Sequence, residues 1–515
     1  MAPTGAAWIS QSPAASGSHA LPRRSLPRLL FPTVMSSEKS PSPQGPAASG
    51  CLSIFKGIFS NSHKGADVAS HECAFDEKSA QFTTTSTFLP PAYESLHQTM
   101  SQLSVSDSDV KLSALWEQDD FAKLVHRAIE EVSAELRDIS LKLHADPELS
   151  YQEYHAHALL TDYLESKGFQ VQRKAYTLDT AFVARAGNSD KVTIGICSEY
   201  DALPGIGHAC GHNLIAISGV ATAIGLKTVI ENFELEAEVK LFGTPAEETS
   251  GGKIVMLNHG AFDNVDVCMM LHGANADVVY PAFLALDTVE VEFFGKASHA
   301  SASPWEGINA LDAAVLSYTN IGLMRQQMHP SQRVHGIIKD GGKAANIIPD
   351  YTMSTYTVRA PKYTEVEVLK KKVERIFKGA AASTGCRVEF KWGVPYKDIL
   401  TNDPLAKKFE HYMNAQGLKY ASKQEQLSKL SGSTDMGNLT YALPGIHPMF
   451  NILNLHGEDD KTMGLHTTAF ANAAAQSLGH VTTLRAAKSL AMTGVECIVD
   501  KEFLKSVKQE FNDQK

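Results

Sequence analysis

The chain has 515 residues, of which 43% are apolar and 20% charged, and it carries a formal net charge of −10 at pH 7. That length exceeds one compact core and points to two folded domains plus a tail. The acidic balance leaves no electrostatic footprint for nucleic acid or an anionic membrane, and no stretch reads as apolar enough for long enough to span a bilayer.

Residues 1–108 are rich in Ser, Pro, Thr, Gly and Ala and lack periodicity, so they read as a disordered tail that cannot bury enough apolar surface to offset its ordering entropy. The apolar patch at 51–55 is a docking motif or a chance cluster. Arg23, Arg24 and Arg28 precede the first acid, Glu38, a composition like that of a mitochondrial transit peptide, although the prolines among them break any continuous amphipathic helix. No secretory segment is recognisable, and seven scattered cysteines fit a reducing compartment rather than a disulfide framework. The cytoplasm is the leading location and the mitochondrion the alternative.

Folded sequence follows. Phe121, Leu124, Val125, Ile129, Val132, Leu136, Ile139 and Leu143 recur at helical spacing and predict one amphipathic helix over 119–144, stopped by Asp146-Pro147. A second helix spans 151–167 and ends at Gly168, a suitable left-handed C′ residue. Strands at 170–176, 181–186, 192–197, 239–244 and 265–271 alternate with helices at 214–230 and 253–259, which argues for a largely parallel sheet with helices on its faces. From 288 the pattern changes to strand 288–294, helix 309–327, strands 334–338 and 351–359 about a Gly341-Gly342 turn, helix 365–382 and strand 387–392. That is the ferredoxin-like order. Helix and strand segments of the first kind resume after Pro404. The predicted organisation is a tail (1–108), a catalytic domain in two parts (109–284 and 396–505) around an inserted domain (285–395), and a short tail (506–515).

The chemistry-bearing residues lie where strands end. The strand at 192–197 runs into Glu199, Asp201, Cys210 and His212, four carboxylate, thiol or imidazole groups within one Gly- and Pro-rich stretch. Strand 239–244 runs into Glu247-Glu248 and strand 265–271 into His272, while Ser431-Gly432-Ser433-Thr434-Asp435 and Gly464-Leu465-His466-Thr467 follow the insertion. Singly, a Glu-Glu pair is usually a solvated surface and a lone His a satisfied core residue; recurrence at four strand ends is the signal. Converging, these ends hold more donors than one tetrahedral zinc needs and suit two metal ions. Successive strand residues face opposite ways, so both glutamates serve one site only where the chain has left the strand.

From about 112 to 505 the chain resembles the aminoacylase-like and carboxypeptidase-G-like amidohydrolases of peptidase family M20. The stretches that carry the resemblance are Asp146-Pro147-Glu148-Leu149-Ser150, Asp201-Ala202-Leu203-Pro204-Gly205, His208-Ala209-Cys210-Gly211-His212, Pro245-Ala246-Glu247-Glu248, Gly295-Lys296-Ala297-Ser298-His299-Ala300, Asn346-Ile347-Ile348-Pro349 and Leu465-His466. It implies an α/β fold, a zinc-peptidase-like catalytic domain with a mainly parallel sheet, plus an inserted ferredoxin-like α+β dimerisation (lid) domain. Cys210, His212, Glu248, His272 and His466 match the metal ligands, Glu247 the general base and Asp201 the carboxylate that orients a ligand. On the lid, His299 matches a residue that reaches the partner's site and stabilises the oxyanion. Asn346 and Arg359 match residues that hold the substrate carbonyl and carboxylate, and Gly432 and Ser433 line the same end. The resemblance further implies a homodimer and one or two divalent ions, with zinc favoured by the thiolate over manganese or cobalt; the net charge of −10 argues for no nucleic-acid and no membrane partner. The reaction it implies is hydrolysis of an amide bond in a dipeptide or N-acyl amino acid, with a dipeptidase releasing a basic residue as the first reading and an N-acyl-amino-acid amidohydrolase as the second. A non-catalytic binding relative is a third reading, but such a protein should have lost ligands or base, and all are present. Three positions depart from the family: Glu199 stands where many members have His, Asn213 where many have Asp, and His456 competes with His466 for a ligand position.

Overall fold

The computed structural model describes residues 119–429, 431–455 and 463–515. The tail expected over 1–108, its patch at 51–55 and His456 lie outside the described residues. In chain order the strands are β1 (Gln170–Arg173), β2 (Phe182–Gly187), β3 (Thr193–Ser198), β4 (Glu238–Gly243), β5 (Val267–Met269), β6 (His272–Ala274), β7 (Ala285–Phe294), β8 (Arg333–Asp340), β9 (Tyr351–Ala360), β10 (Arg387–Trp392), β11 (Gly445–Ile446) and β12 (Met449–Asn451). The helices are α1 (Asp120–Glu131), α2 (Ser133–Ala145), α3 (Tyr154–Ser166), α4 (His212–Asn232), α5 (Gly252–Asn258), α6 (Ala310–Met324), α7 (Tyr363–Thr384), α8 (Asp403–Asn414), α9 (Lys423–Ser428), α10 (Met436–Thr440), α11 (Thr468–Ala474), α12 (Ser477–Val499) and α13 (Lys501–Gln514).

The amphipathic stretch expected as one helix is two. Asp119 caps α1, accepting from the N–H groups of Phe121 and Ala122, and the helix breaks at Val132, where φ is −103° and ψ 1°. Gly168 closes α3 with φ +81°, as its sequence position suggests. The main sheet has the order β1-β2-β4-β3-β5-β11. Its β1-β2 and β2-β4 pairs are antiparallel, while β4-β3, β3-β5 and β5-β11 are parallel. A fully buried strand such as β3, shielded on both faces, fits its unbroken apolar run. Helix α4 packs against β3 and β4 and against α12 and α1. It is long and apolar enough to cross a membrane by length and composition, which corrects the reading that no stretch is; 89% of its apolar window is buried inside this core.

Residues 285–392 form a separate four-stranded antiparallel sheet, β10-β7-β9-β8, so the fourth, first, third and second strands lie side by side. Burial alternates strictly along β7 and β9. The buried face, with Val289, Val291, Phe293, Tyr356 and Val358, packs on Ala313, Ala314 and Ile321 of α6 and on Val366, Leu369, Val373 and Phe377 of α7, a core of its own. The ferredoxin-like order is thus present. The connection between β8 and β9 is longer than a tight turn, running from 341 to 350. Most of the stretch 506–515, expected as a tail, instead belongs to α13, which runs to Gln514 and buries Leu504, Val507 and Phe511.

Candidate metal centre

Because β4, β3 and β5 are parallel neighbours, their carboxyl ends open on one edge of the sheet. Glu199 and Asp201 follow β3, Glu247 and Glu248 follow β4, and His272 opens β6 just after β5. β4 ends at Gly243, so both glutamates lie beyond the strand. Two close approaches fix the loops. Gly211, at φ +77°, turns the chain so that His212 becomes the first residue of α4. Gly252 lies so near Pro245 that an added Cβ would stand 1.9 Å from the Pro245 carbonyl oxygen, which folds the Glu247-Glu248 turn tightly onto α5. Two residues with side chains, Ala246 and His466, both hold φ +61° here, backbone strain that the surrounding contacts maintain. Glu153 accepts the Ala246 N–H at 2.9 Å, and the His466 N–H donates to the Ala209 carbonyl at 2.9 Å.

Among the described residues, three groups of donors each fall within 4.8 Å: Cys210, His212 and His272; Cys210, Glu248 and His466; and Glu199, His212 and Glu247. Cys210 is common to the first two, and its sulfur lies 3.5 Å from His272 Nε2. His272 Nδ1 faces the Gly273 carbonyl at 2.7 Å, which places the proton on Nδ1 and frees Nε2 as a donor to a metal. His212 Nδ1 meets Asp201 at 3.2 Å, again leaving Nε2 toward the other ligands. The second oxygen of Asp201 accepts the Glu248 N–H at 3.1 Å, so one carboxylate positions two donors. His466 Nε2 lies 3.4 Å from Glu248 and is half exposed, at the open side.

The charge balance tests whether a cation belongs here. Glu199, Asp201, Glu247 and Asp435 are all buried, and the buried ammonium of Lys253 faces all four charges. Burial, and then the carboxylates of Glu199 and Glu248, push the Glu247 carboxyl well above its ordinary range. His212 Nε2, Glu248 Oε1 and Glu199 Oε2 are buried without a hydrogen-bond partner. Unpaired donors aimed at one another in an apolar shell are costly unless a cation joins them. The residues fit a divalent metal centre.

The remaining predicted residues divide. Arg359 of β9 donates through Nη1 to Ser433 Oγ at 3.1 Å, and the neighbouring Gly432 carbonyl accepts from Leu284 N–H, so this trio sits where lid and catalytic domain meet. His299 and Asn346 lie together on the lid, where Ala300 N–H donates to the Asn346 carbonyl at 3.0 Å; both are exposed, and they are not among the donor groups. His208 is structural: burial, then the charges of His212 and His144, hold it down to about 3, and its Nε2 pairs with the Leu143 carbonyl. Asn213 likewise braces the fold, donating to Ser140 and to the Ala474 carbonyl. Four residues were absent from the sequence-derived site: Lys253, Asp435, His447 and Tyr396. His447 is buried with its ring edge-on to His272 at 5.5 Å, and Tyr396 donates its hydroxyl to the Glu247 carbonyl at 2.7 Å. Asp435 lay in a recognised motif, whereas His447 had no local signal.

Residues 285–384 match the peptidase M20 dimerisation domain model. The human Xaa-Arg dipeptidase is 42% identical over 400 residues, covering 74% of this chain and 90% of that protein. The chain belongs to peptidase family M20. As a member it is a hydrolase of amide bonds. One component chain of the p-aminobenzoyl-glutamate hydrolase of Escherichia coli is 28% identical over 459 residues, spanning 75% of this chain and 94% of its own. Among solved structures, an aminobenzoyl-glutamate utilization protein from Klebsiella pneumoniae shares the M20 fold, with TM-score 0.51 at 17% identity over 70% of this chain and 98% of its own.

Proposed function

We propose that the chain is a metal-dependent dipeptidase that releases a C-terminal basic amino acid and works as a homodimer. The observation that carries the metal reading is the pair of donor triads sharing Cys210, set beside a buried glutamate, Glu247, that belongs to neither. Cys210, His212 and His272 would hold one ion, and Cys210, Glu248 and His466 a second. Bound there, divalent metal supplies Lewis acidity and lowers the pKa of water toward neutrality. Thiolate and imidazole donors favour zinc.

The chain's own residues supply the rest. Glu247, whose carboxyl is raised by burial and by its carboxylate neighbours, takes a proton from the attacking water and returns it to the leaving amine. Asp201 keeps His212 in one tautomer and Glu248 in place. Arg359, already bonded to Ser433, presents a planar fork that suits the free carboxylate of a dipeptide. His299 Nδ1 accepts the N–H groups of Ser301 and Ala302, which leaves Nε2–H exposed as an oxyanion donor for a partner's site. Exposed Val315, Tyr318 and Leu323 on α6 and Ile337 on the edge strand β8 give the lid an apolar surface that a second copy would cover. The five described cysteines are free, which supports a reducing compartment and with it the cytoplasm. The preference for a basic residue rests on the dipeptidase relative alone.

The test is hydrolysis by the purified full chain of β-alanyl-lysine and an Xaa-Arg dipeptide, set against N-acetyl and aminobenzoyl-glutamate substrates, before and after chelation. The dipeptides should turn over fastest and chelator should stop the reaction. Preference for aminobenzoyl-glutamate would move the chain to the activity of the bacterial relative, and metal-free protein with undiminished turnover would remove the reading.

A further inference from the structure

Behind the two triads lies a buried group that the mechanism above leaves without a task. Glu199, Lys253 and Asp435 are all inaccessible to solvent, and they come from the end of β3, the start of α5 and the residue before α10. The Lys253 ammonium donates to Glu199 Oε1 and, at 2.7 Å, to Asp435 Oδ1. The Lys253 backbone N–H donates to the other Asp435 oxygen at 2.9 Å. Both Asp435 oxygens and one Glu199 oxygen are thereby taken. One ammonium faces two carboxylates, so the group keeps a surplus negative charge.

That surplus has a direction. Glu199 Oε2 has no hydrogen-bond partner, is fully buried, and lies 3.5 Å from His212 Nε2, itself unpartnered. Lys253 fixes which oxygen turns inward, because Oε1 is held on the far side. An unpaired carboxylate oxygen in such surroundings is costly unless a cation meets it. A carboxylate held through one oxygen and open at the other is the form in which Asp and Glu bind zinc as single-oxygen ligands.

We propose that Glu199 is a further metal ligand on the His212 side of the centre, and that Lys253, braced by Asp435, is the positioning residue that presents Glu199 Oε2 to the ion; this rests on the metal centre proposed above. Asp435 follows Ser433, the partner of Arg359, by two residues, so the same brace ties the substrate-carboxylate end of the site to its metal end.

The experiment measures metal rather than turnover. Full-length wild type, Glu199→Gln, Lys253→Met and the double variant are titrated with zinc against a competing chelator, and each cobalt-loaded form is recorded by visible absorption. Glu199→Gln should weaken the affinity of one ion by roughly tenfold or more, on the scale of lost metal-site partners, and alter the cobalt spectrum. Lys253→Met should do the same where Glu199 is intact and add nothing further in the Glu199→Gln background, since it acts through that carboxylate. A purely structural Lys253 would lower the melting temperature and leave affinity and spectrum alone, and that result overturns its positioning role. If Lys253→Met does not fold, Glu199→Gln decides by itself: affinity and spectrum equal to wild type overturn the ligand assignment. Wild type that takes up no zinc overturns both this proposal and the function above, whereas wild type that binds zinc with an indifferent Glu199→Gln overturns this one alone.

Discussion

Glu153 shows how one buried carboxyl can serve the site without touching it. Its two oxygens accept the Ala246 N–H at 2.9 Å and the Thr180 hydroxyl at 2.8 Å, so it pins the left-handed residue that precedes Glu247. Burial, only partly offset by the Thr180 hydrogen bond, raises its carboxyl from 4.5 to about 7. The folded chain therefore binds this proton more tightly than the unfolded chain. The stabilisation is complete below about pH 4.5 and is lost as pH rises through 7, a swing of up to about 3 kcal/mol. Glu153→Gln removes the titration, so its stability relative to wild type should improve as pH goes from 5 to 8. Urea unfolding at the two pH values checks this, and a difference that does not change with pH would show that Glu153 stays ionised throughout. The Glu153→Gln protein should also bind metal, because no ligand is removed. No local pattern marks Glu153 in the sequence: its partners are 27 and 93 residues away. The same holds for Lys253 and Asp435, 182 residues apart. A lysine in the first turn of a helix, where the helix dipole disfavours a cation, was the one available hint that an acid must wait nearby.

Elements were legible wherever the chain repeats one period without interruption. The alternating strands of the lid, the apolar β3 and the Ala-rich α4 follow from their own residues, and so does the edge on which β3, β4 and β5 release Glu199, Asp201, Glu247, Glu248 and His272. The break at Val132 was hidden because the apolar spacing runs through it, from Ile129 to Leu136. At the break the chain meets a partner remote in sequence: Ser133, the first residue of α2, faces His480 Nε2 of α12 at 3.0 Å. Helix α13 was missed for a different reason, since Leu504, Val507 and Phe511 carry helical spacing but sit among charges at the end of the chain. The His480 contact makes a prediction of opposite sign to Glu153. Burial, then the charge of Arg137, lowers its imidazole from 6.5 to about 4. The unfolded chain thus takes up this proton first as pH falls, and the contribution is intact above 6.5 and lost toward 4. His480→Gln should flatten the stability profile across that window by up to about 3 kcal/mol. Thermal melts at pH 7.5 and 5 that shift equally in variant and wild type would remove His480 as the source of acid sensitivity.

For the molecule as a whole, the division of labour between domains bears on how many chains make one site. The catalytic domain gathers seven predicted residues, Asp201, Cys210, His212, Glu247, Glu248, His272 and His466, from segments far apart in sequence. The lid contributes Arg359 at its junction with Ser433, while His299 and Asn346 project from the same domain with their hydrogen-bond partners on the lid. If a partner's lid delivers His299, then Glu247→Gln and His299→Ala are each inactive as pure dimers for different reasons. A mixed dimer holds one site with both substitutions and one with neither. Random assortment in a two-fold dimer makes half the dimers mixed and returns about a quarter of the wild-type sites. Co-expressing the two variants with different affinity tags and purifying through both isolates the mixed species, in which about half of the sites are intact, so its turnover per dimer should approach half that of wild type. Activity no greater than that of either pure variant would place His299 in the service of its own chain, and the lid would then be a dimer interface without a catalytic part.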